Sequence, residues 1–109
     1  MHEMSITQSV IDVVTKRTGS DRVAKVHLRI GKLSGIVPDS VRFCFELIAA
    51  DSPLAGAVLV IEEPLGLAHC RECGEDFELR DLILLCPCGS ADVAVVAGTE
   101  LAVKSVEVV

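Results

Sequence analysis

The spacing of apolar positions along the chain changes period several times, and each change predicts an element. Between residues 5 and 17, Ile6, Val10, Val13 and Val14 recur at helical spacing. Ser5 followed by Gln8 reads as a capping box, and Gly19 as the stop signal; a start one turn earlier fits the same pattern. Ala24, Val26, Leu28 and Ile30 then alternate with Lys25, His27 and Arg29, the period of a half-buried strand. Gly31 and Gly35 flank a loop ending at Pro38, a residue suited to the first position of a helix. In that second helix Val41, Cys44, Phe45 and Ile48 form one buried stripe.

Residues 57–61 are apolar on both faces, which predicts a centrally placed second strand ended by Pro64 and Gly66. A third strand is expected near residues 100–109. There Leu101 and Val103 set a phase that shifts to Val106 and Val108, predicting a bulge near Lys104 and Ser105. No internal repeat is visible. Between the second and third strands, residues 70–88 hold turn residues and too few apolar ones for a core of their own. The expected fold is α+β: two helices on a three-stranded sheet, built from residues 1–67 plus 93–109, with residues 68–92 as an inserted, metal-stapled lobe.

A chain of 109 residues is one domain of ordinary size, or a small domain with a satellite. Its 50% hydrophobic and 24% charged composition excludes intrinsic disorder. No apolar run approaches the ~18–20 residues that span a bilayer, so no membrane association is expected. Met1-His2-Glu3-Met4 lacks the basic and apolar regions of a signal peptide, and the expected compartment is the cytoplasm. A net charge of −6 and only three aromatic residues, all Phe, argue against nucleic acid as a partner.

Five cysteines in a cytoplasmic chain point to metal or redox chemistry before disulfides. Four of them form two close pairs, Cys70-Arg71-Glu72-Cys73-Gly74 and Cys86-Pro87-Cys88-Gly89. Two such pairs on separate turns converge four thiolates on one point, which is what tetrahedral zinc requires. The glycine after each pair permits the tight turn that aims backbone N–H groups at sulfur. A redox dithiol would sit at a helix N-terminus after a strand, whereas the context here is loops. A catalytic zinc would leave one coordination position for water, and four cysteines fill all four. His69 adjoins Cys70 and is able to replace a thiolate. Cys44, on the apolar stripe of the second helix, reads as a buried inert thiol.

A terminal histidine is most often simply solvated. Here the Met1 amine, the His2 main-chain nitrogen and the His2 imidazole are nevertheless placed to form fused chelate rings around one ion. Such nitrogen donors suit nickel(II) or copper(II), whereas zinc prefers the sulfur site. The bulk of His2 favours retention of Met1, which keeps that amine in place.

Taken in order, these segments resemble one family, the HypA/HybF nickel metallochaperones of hydrogenase maturation. The resemblance rests on Met1-His2-Glu3-Met4-Ser5, Ile30-Gly31-Lys32-Leu33-Ser34, and Val37-Pro38 leading into Phe43-Cys44-Phe45-Glu46. It continues through Gly56-Ala57, Ile61-Glu62, Pro64, the two cysteine pairs with Ser90, Gly98-Thr99-Glu100-Leu101 and Val106-Glu107-Val108. Essentially the whole chain is covered. The resemblance implies a nonenzymatic carrier that binds Ni(II) transiently through its N-terminus and holds structural Zn(II) in a separate lobe. By position, His2 is the principal nickel ligand, completed or tuned by Met1 and Glu3, and Cys70, Cys73, Cys86 and Cys88 hold zinc. The implied partners are a HypB-type GTPase and the large subunit of a nickel–iron hydrogenase; in some relatives the carrier also serves urease maturation.

One departure matters. The family's second knuckle reads Cys-Pro-x-Cys, and Cys86-Pro87-Cys88 is one residue shorter, with no N–H on Pro87. If either cysteine falls out of reach, His69 is the substitute. The competing reading is a zinc-ribbon module for protein interaction without specific nickel binding. An enzyme has little support, since no nucleophile triad or phosphate-cradling loop stands out. His27 reads as surface, and Glu62-Glu63 and Glu75-Asp76 as solvated or docking charge.

Overall fold

A computed structural model describes residues 2–109, so Met1 lies outside the described residues. The elements run α1 (Glu3–Thr18), β1 (Val23–Ile30), α2 (Pro38–Ala49), β2 (Val58–Glu62), β3 (Gly66–Cys70), β4 (Asp76–Leu79), β5 (Val93–Ala97) and β6 (Leu101–Val108). They form two three-stranded sheets, ordered β2-β1-β6 and β4-β3-β5, and the fold is α+β. The chain divides into two compact units. One holds the stretch up to Leu28, Ile36–Ile61 and Ala102–Val109; the other holds Arg29–Gly35 and Glu62–Leu101.

In the first unit α1 and α2 pack on each other. Helix α1 begins at Glu3, two residues ahead of Ser5, and the carbonyl of His2 already accepts the Ile6 N–H at 2.9 Å. The Ser5–Gln8 capping box therefore does not form. Ser5 lies within the helix, where its carbonyl accepts the Ser9 hydroxyl, and Gln8 bonds Asp12 instead. The core draws Val10, Ile11 and Val14 from α1, Val26 and Leu28 from β1, and Val41, Cys44 and Phe45 from α2. Thr7 is buried among them without cost, because its hydroxyl donates to the Glu3 carbonyl at 2.6 Å. Pro38 occupies the first turn of α2, and the expected apolar stripe is buried, with Ala49 deeper than Ile48.

Strand β2 is an edge strand, which corrects the expectation that it lies centrally; β1 is the middle strand. Apolar residues on both faces say nothing about lateral neighbours, and Val58 and Val60 are in fact exposed while Leu59 is buried. Along β6 the half-buried positions are Leu101, Val103 and Val106, so the apolar phase does shift at Lys104 and Ser105.

The second unit is larger than the segment between the cysteines. It takes in the loop 29–35 and everything from Glu62 to Leu101, where the sequence suggested only residues 68–92. The reason is a second antiparallel sheet that strands of four or five residues did not announce: β3 pairs β4 (His69 opposite Asp76) and β5 (Cys70 opposite Val93). Its small core is Leu33, Ala68 and Leu79, with Phe77 packed against them. Leu33 arrives from the loop because Gly31, Gly66 and Gly98 allow backbones to touch. A Cβ on Gly31 would lie 2.1 Å from the Gly98 carbonyl oxygen, and one on Gly66 2.2 Å from Leu33.

Candidate metal centre

The four paired cysteines converge although no disulfide joins them. Their Sγ atoms all lie within 4.8 Å of one another. Cys70 closes β3, and the turn after it returns Cys73; a second turn, closed by the Gly89 N–H on the Cys86 carbonyl at 2.8 Å, carries Cys86 and Cys88. The two turns are tied across the sheet end, where Arg71 N–H donates to the Asp92 carbonyl and the two side chains pair at 2.8 Å. Gly74 and Gly89 have φ of 79° and 97°, so each turn takes the left-handed step that glycine allows.

The geometry fits a tetrahedral ion. Four sulfurs at ~2.3 Å from a central zinc stand about 3.8 Å from each other. Cys70 and Cys88 sulfurs are 3.8 Å apart, and those of Cys73 and Cys86 3.7 Å. Backbone N–H groups point at the sulfurs as well, from Cys73 to Cys70 Sγ at 3.4 Å and from Cys88 to Cys86 Sγ at 3.5 Å. The missing N–H on Pro87 is thus immaterial, since the donor comes from Cys88. The shortened knuckle leaves both of its cysteines in the cluster.

His69 is placed differently. Its Nδ1 lies 2.7 Å from Asp76 Oδ1, directly across the strand pair, and the ring is about half exposed. It is not a member of the four-sulfur group.

The thiols are unequal. The Cys73 N–H, above all, holds the Cys70 thiol down at about 6, against the opposing effect of burial. Cys86 is pushed up to about 12: the Cys88 N–H lowers it, but burial and the sulfurs of Cys88, Cys73 and Cys70 together prevail. Cys73 is also raised, its helpful Glu75 N–H being outweighed by burial and by neighbouring sulfur. At neutral pH Cys70 is therefore the ready thiolate, and a metal must displace protons from Cys73 and Cys86, so affinity rises with pH.

At the other candidate site, His2 precedes α1 in a non-helical conformation (φ −117°, ψ 24°) and makes no side-chain capping bond. It is exposed, and Glu3 is half-buried. The N–H of His2, at the helix N-cap, has no intrahelical acceptor. The expected Met1 ligand lies outside the described residues. A cleft of about 460 Å³ opens beside the motif, lined by Glu3, Met4, Asp39, Ser40, Phe43 and Cys44. Sequence reading missed this cleft, because only folding brings the first turns of α1 and α2 together. Pro38-Asp39 at the start of α2 was the available sign.

Fold and site together define a class: a small α+β protein carrying a four-thiolate metal group on a unit of its own. Comparison with known proteins narrows it. Residues 1–108 match the family model described as "Hydrogenase/urease nickel incorporation, metallochaperone, hypA". A hydrogenase maturation factor HypA from Geobacter metallireducens is 50% identical over 109 residues, covering 99% of each chain. One from a Nostoc species is 44% identical over 108 residues, covering 99% of this chain and 96% of the relative. The solution structure of the Ni metallochaperone HypA from Helicobacter pylori superposes with a TM-score of 0.64 at 24% identity, covering 99% of this chain and 97% of that one. The chain belongs to the HypA family of nickel-incorporation metallochaperones for hydrogenase maturation. No helix among the described residues is long and apolar enough to cross a membrane.

Proposed function

We propose that this protein binds Ni(II) at Met1-His2-Glu3 and hands it on during maturation of a nickel–iron hydrogenase, while zinc on the four cysteines keeps the second unit folded. The observation that carries the nickel reading is the state of His2: exposed, outside the helix and with its side chain unengaged in capping. The imidazole, the Met1 amine and main-chain nitrogens without helical acceptors supply the nitrogen-rich set that nickel favours. Glu3 completes or tunes the site. An exposed terminal site lets a recipient's ligands approach before the donor's leave, as a carrier needs. The chemistry is transfer rather than catalysis, and the protein is not an enzyme. By family resemblance the partners are a HypB-type GTPase and the hydrogenase large subunit, with urease maturation a second destination in some relatives, and the compartment is the cytoplasm.

The test is calorimetry with Ni(II) on zinc-loaded, tag-free protein beginning at Met1. Wild type is expected to bind about one nickel per chain and His2→Ala none at comparable concentration; equal binding by both would sink the N-terminal assignment. For zinc, K-edge absorption is expected to give four sulfur neighbours and no nitrogen. A nitrogen that disappears in His69→Ala would instead bring His69 into the centre.

A further inference from the structure

The second unit buries few of its apolar side chains and displays others in a row. Leu82, Ile83, Leu84 and Leu85, between β4 and Cys86, are 60%, 68%, 39% and 49% exposed. A single exposed leucine is ordinary, but four consecutive ones form the kind of patch that marks an interaction surface. The row is held in shape. Asp81 Oδ1 accepts the Ile83 N–H at 2.9 Å, and the Ile83 carbonyl accepts the Leu85 N–H at 3.0 Å. The next residue, Cys86, is fixed in the four-sulfur cluster. These bonds restrict the backbone of the row, which lowers the ordering cost of docking.

Charge indicates what the row would meet. The two units differ sharply: the first carries seven carboxylates against six basic side chains, the second nine against four. Three of those four, Arg29, Lys32 and Arg71, already pair with Glu62, Glu63 and Asp92. A divalent ion on four thiolates leaves two further negative charges. Close to the row in sequence, Glu75, Asp76, Glu78 and Asp81 are all exposed, against the single cation Arg80, although Asp76 also pairs with His69 and Asp81 also caps Ile83. A cationic partner gains from this field, and an acidic partner or an anionic lipid surface is repelled by it.

We propose that Leu82–Leu85 and the carboxylates around it are a docking site for a basic, apolar segment of a partner protein. This surface is separate from His2, and its test needs no nickel, so it stands or falls independently of the nickel reading. The experiment uses full-length, zinc-loaded protein and two fluorescein-labelled synthetic peptides of equal length and leucine content, one with lysine as its only charged residue, the other with glutamate. Fluorescence anisotropy at low ionic strength is expected to show the lysine peptide binding at least tenfold more tightly than the glutamate peptide. The double variant Leu82→Ser/Ile83→Ser should lose tenfold or more of that affinity while keeping its zinc content. Glu75→Gln/Glu78→Gln, which leaves the apolar row intact, should weaken binding severalfold, as should added salt. Equal binding of the two peptides, or wild-type affinity in both double variants, would overturn the proposal. So would a wild-type dimer that Leu82→Ser/Ile83→Ser dissociates, which would make a second copy the occupant. Flotation with phosphatidylcholine vesicles lost in the same variant would assign the row to lipid.

Discussion

The two units solve the same problem, holding a three-stranded sheet in shape, with different means. The first buries side chains from two helices and a middle strand, and Val14, Val26, Val41 and Leu54 are fully enclosed. The second clusters only Leu33, Ala68 and Leu79 with one half-buried phenylalanine, and beside them four cysteines whose sulfurs lie within 4.8 Å of one another. A core that small cannot offset the ordering of 47 residues. The difference teaches why the proposed zinc would matter most in the second unit, where no helix packing does the same structural work.

The largest effect should therefore come from the metal. Removing it with a strong chelator, or replacing Cys86 by Ser, withdraws stabilisation on the order of 10 kcal/mol from the second unit. Hydrogen exchange is expected to show β3, β4 and β5 losing protection while α1 and α2 keep theirs; retention of protection in both units would erase the contrast. A moderate effect belongs to the first unit. Leu54 is fully buried there, and Leu54→Ala should cost roughly 2–5 kcal/mol in denaturant unfolding, with zinc content unchanged.

The smallest effect lies on the surface of the first unit, where His27 Nε2 sits 2.6 Å from Glu107 Oε2. The bond from His27, with Lys25 assisting, holds the Glu107 carboxyl below its usual range. Its contribution is present above the ordinary carboxylate pKa and is lost as pH falls through the lowered value. Urea midpoints at neutral and acid pH should accordingly converge slightly in Glu107→Gln, by far less than the Leu54→Ala shift.

Legibility in the sequence follows the same division. Both helices, the β1 alternation and the β6 phase shift can be read because each buries one face, which leaves a period in the residues. The cysteine cluster can be read because metal geometry fixes ligand spacing. The β3–β4–β5 sheet left no such trace: its strands are four or five residues long, and its core borrows Leu33 from a loop far away in sequence. The edge position of β2 was illegible for another reason, since hydrogen-bond neighbours in a sheet are decided by topology and not by side-chain pattern. The cleft beside His2 depends on two helix starts meeting, which no local pattern encodes.

The pairing of His27 in β1 with Glu107 in β6 spans 80 positions, most of the chain. On the ribosome this imposes an order of events. Strand β1 emerges early and must wait for β6, the last strand of the chain. Until β6 is in place the first sheet is short of an edge, with β1 paired only to β2. That long-range pairing completes the unit that carries His2, a late and comparatively slow step because its contacts are so distant in sequence.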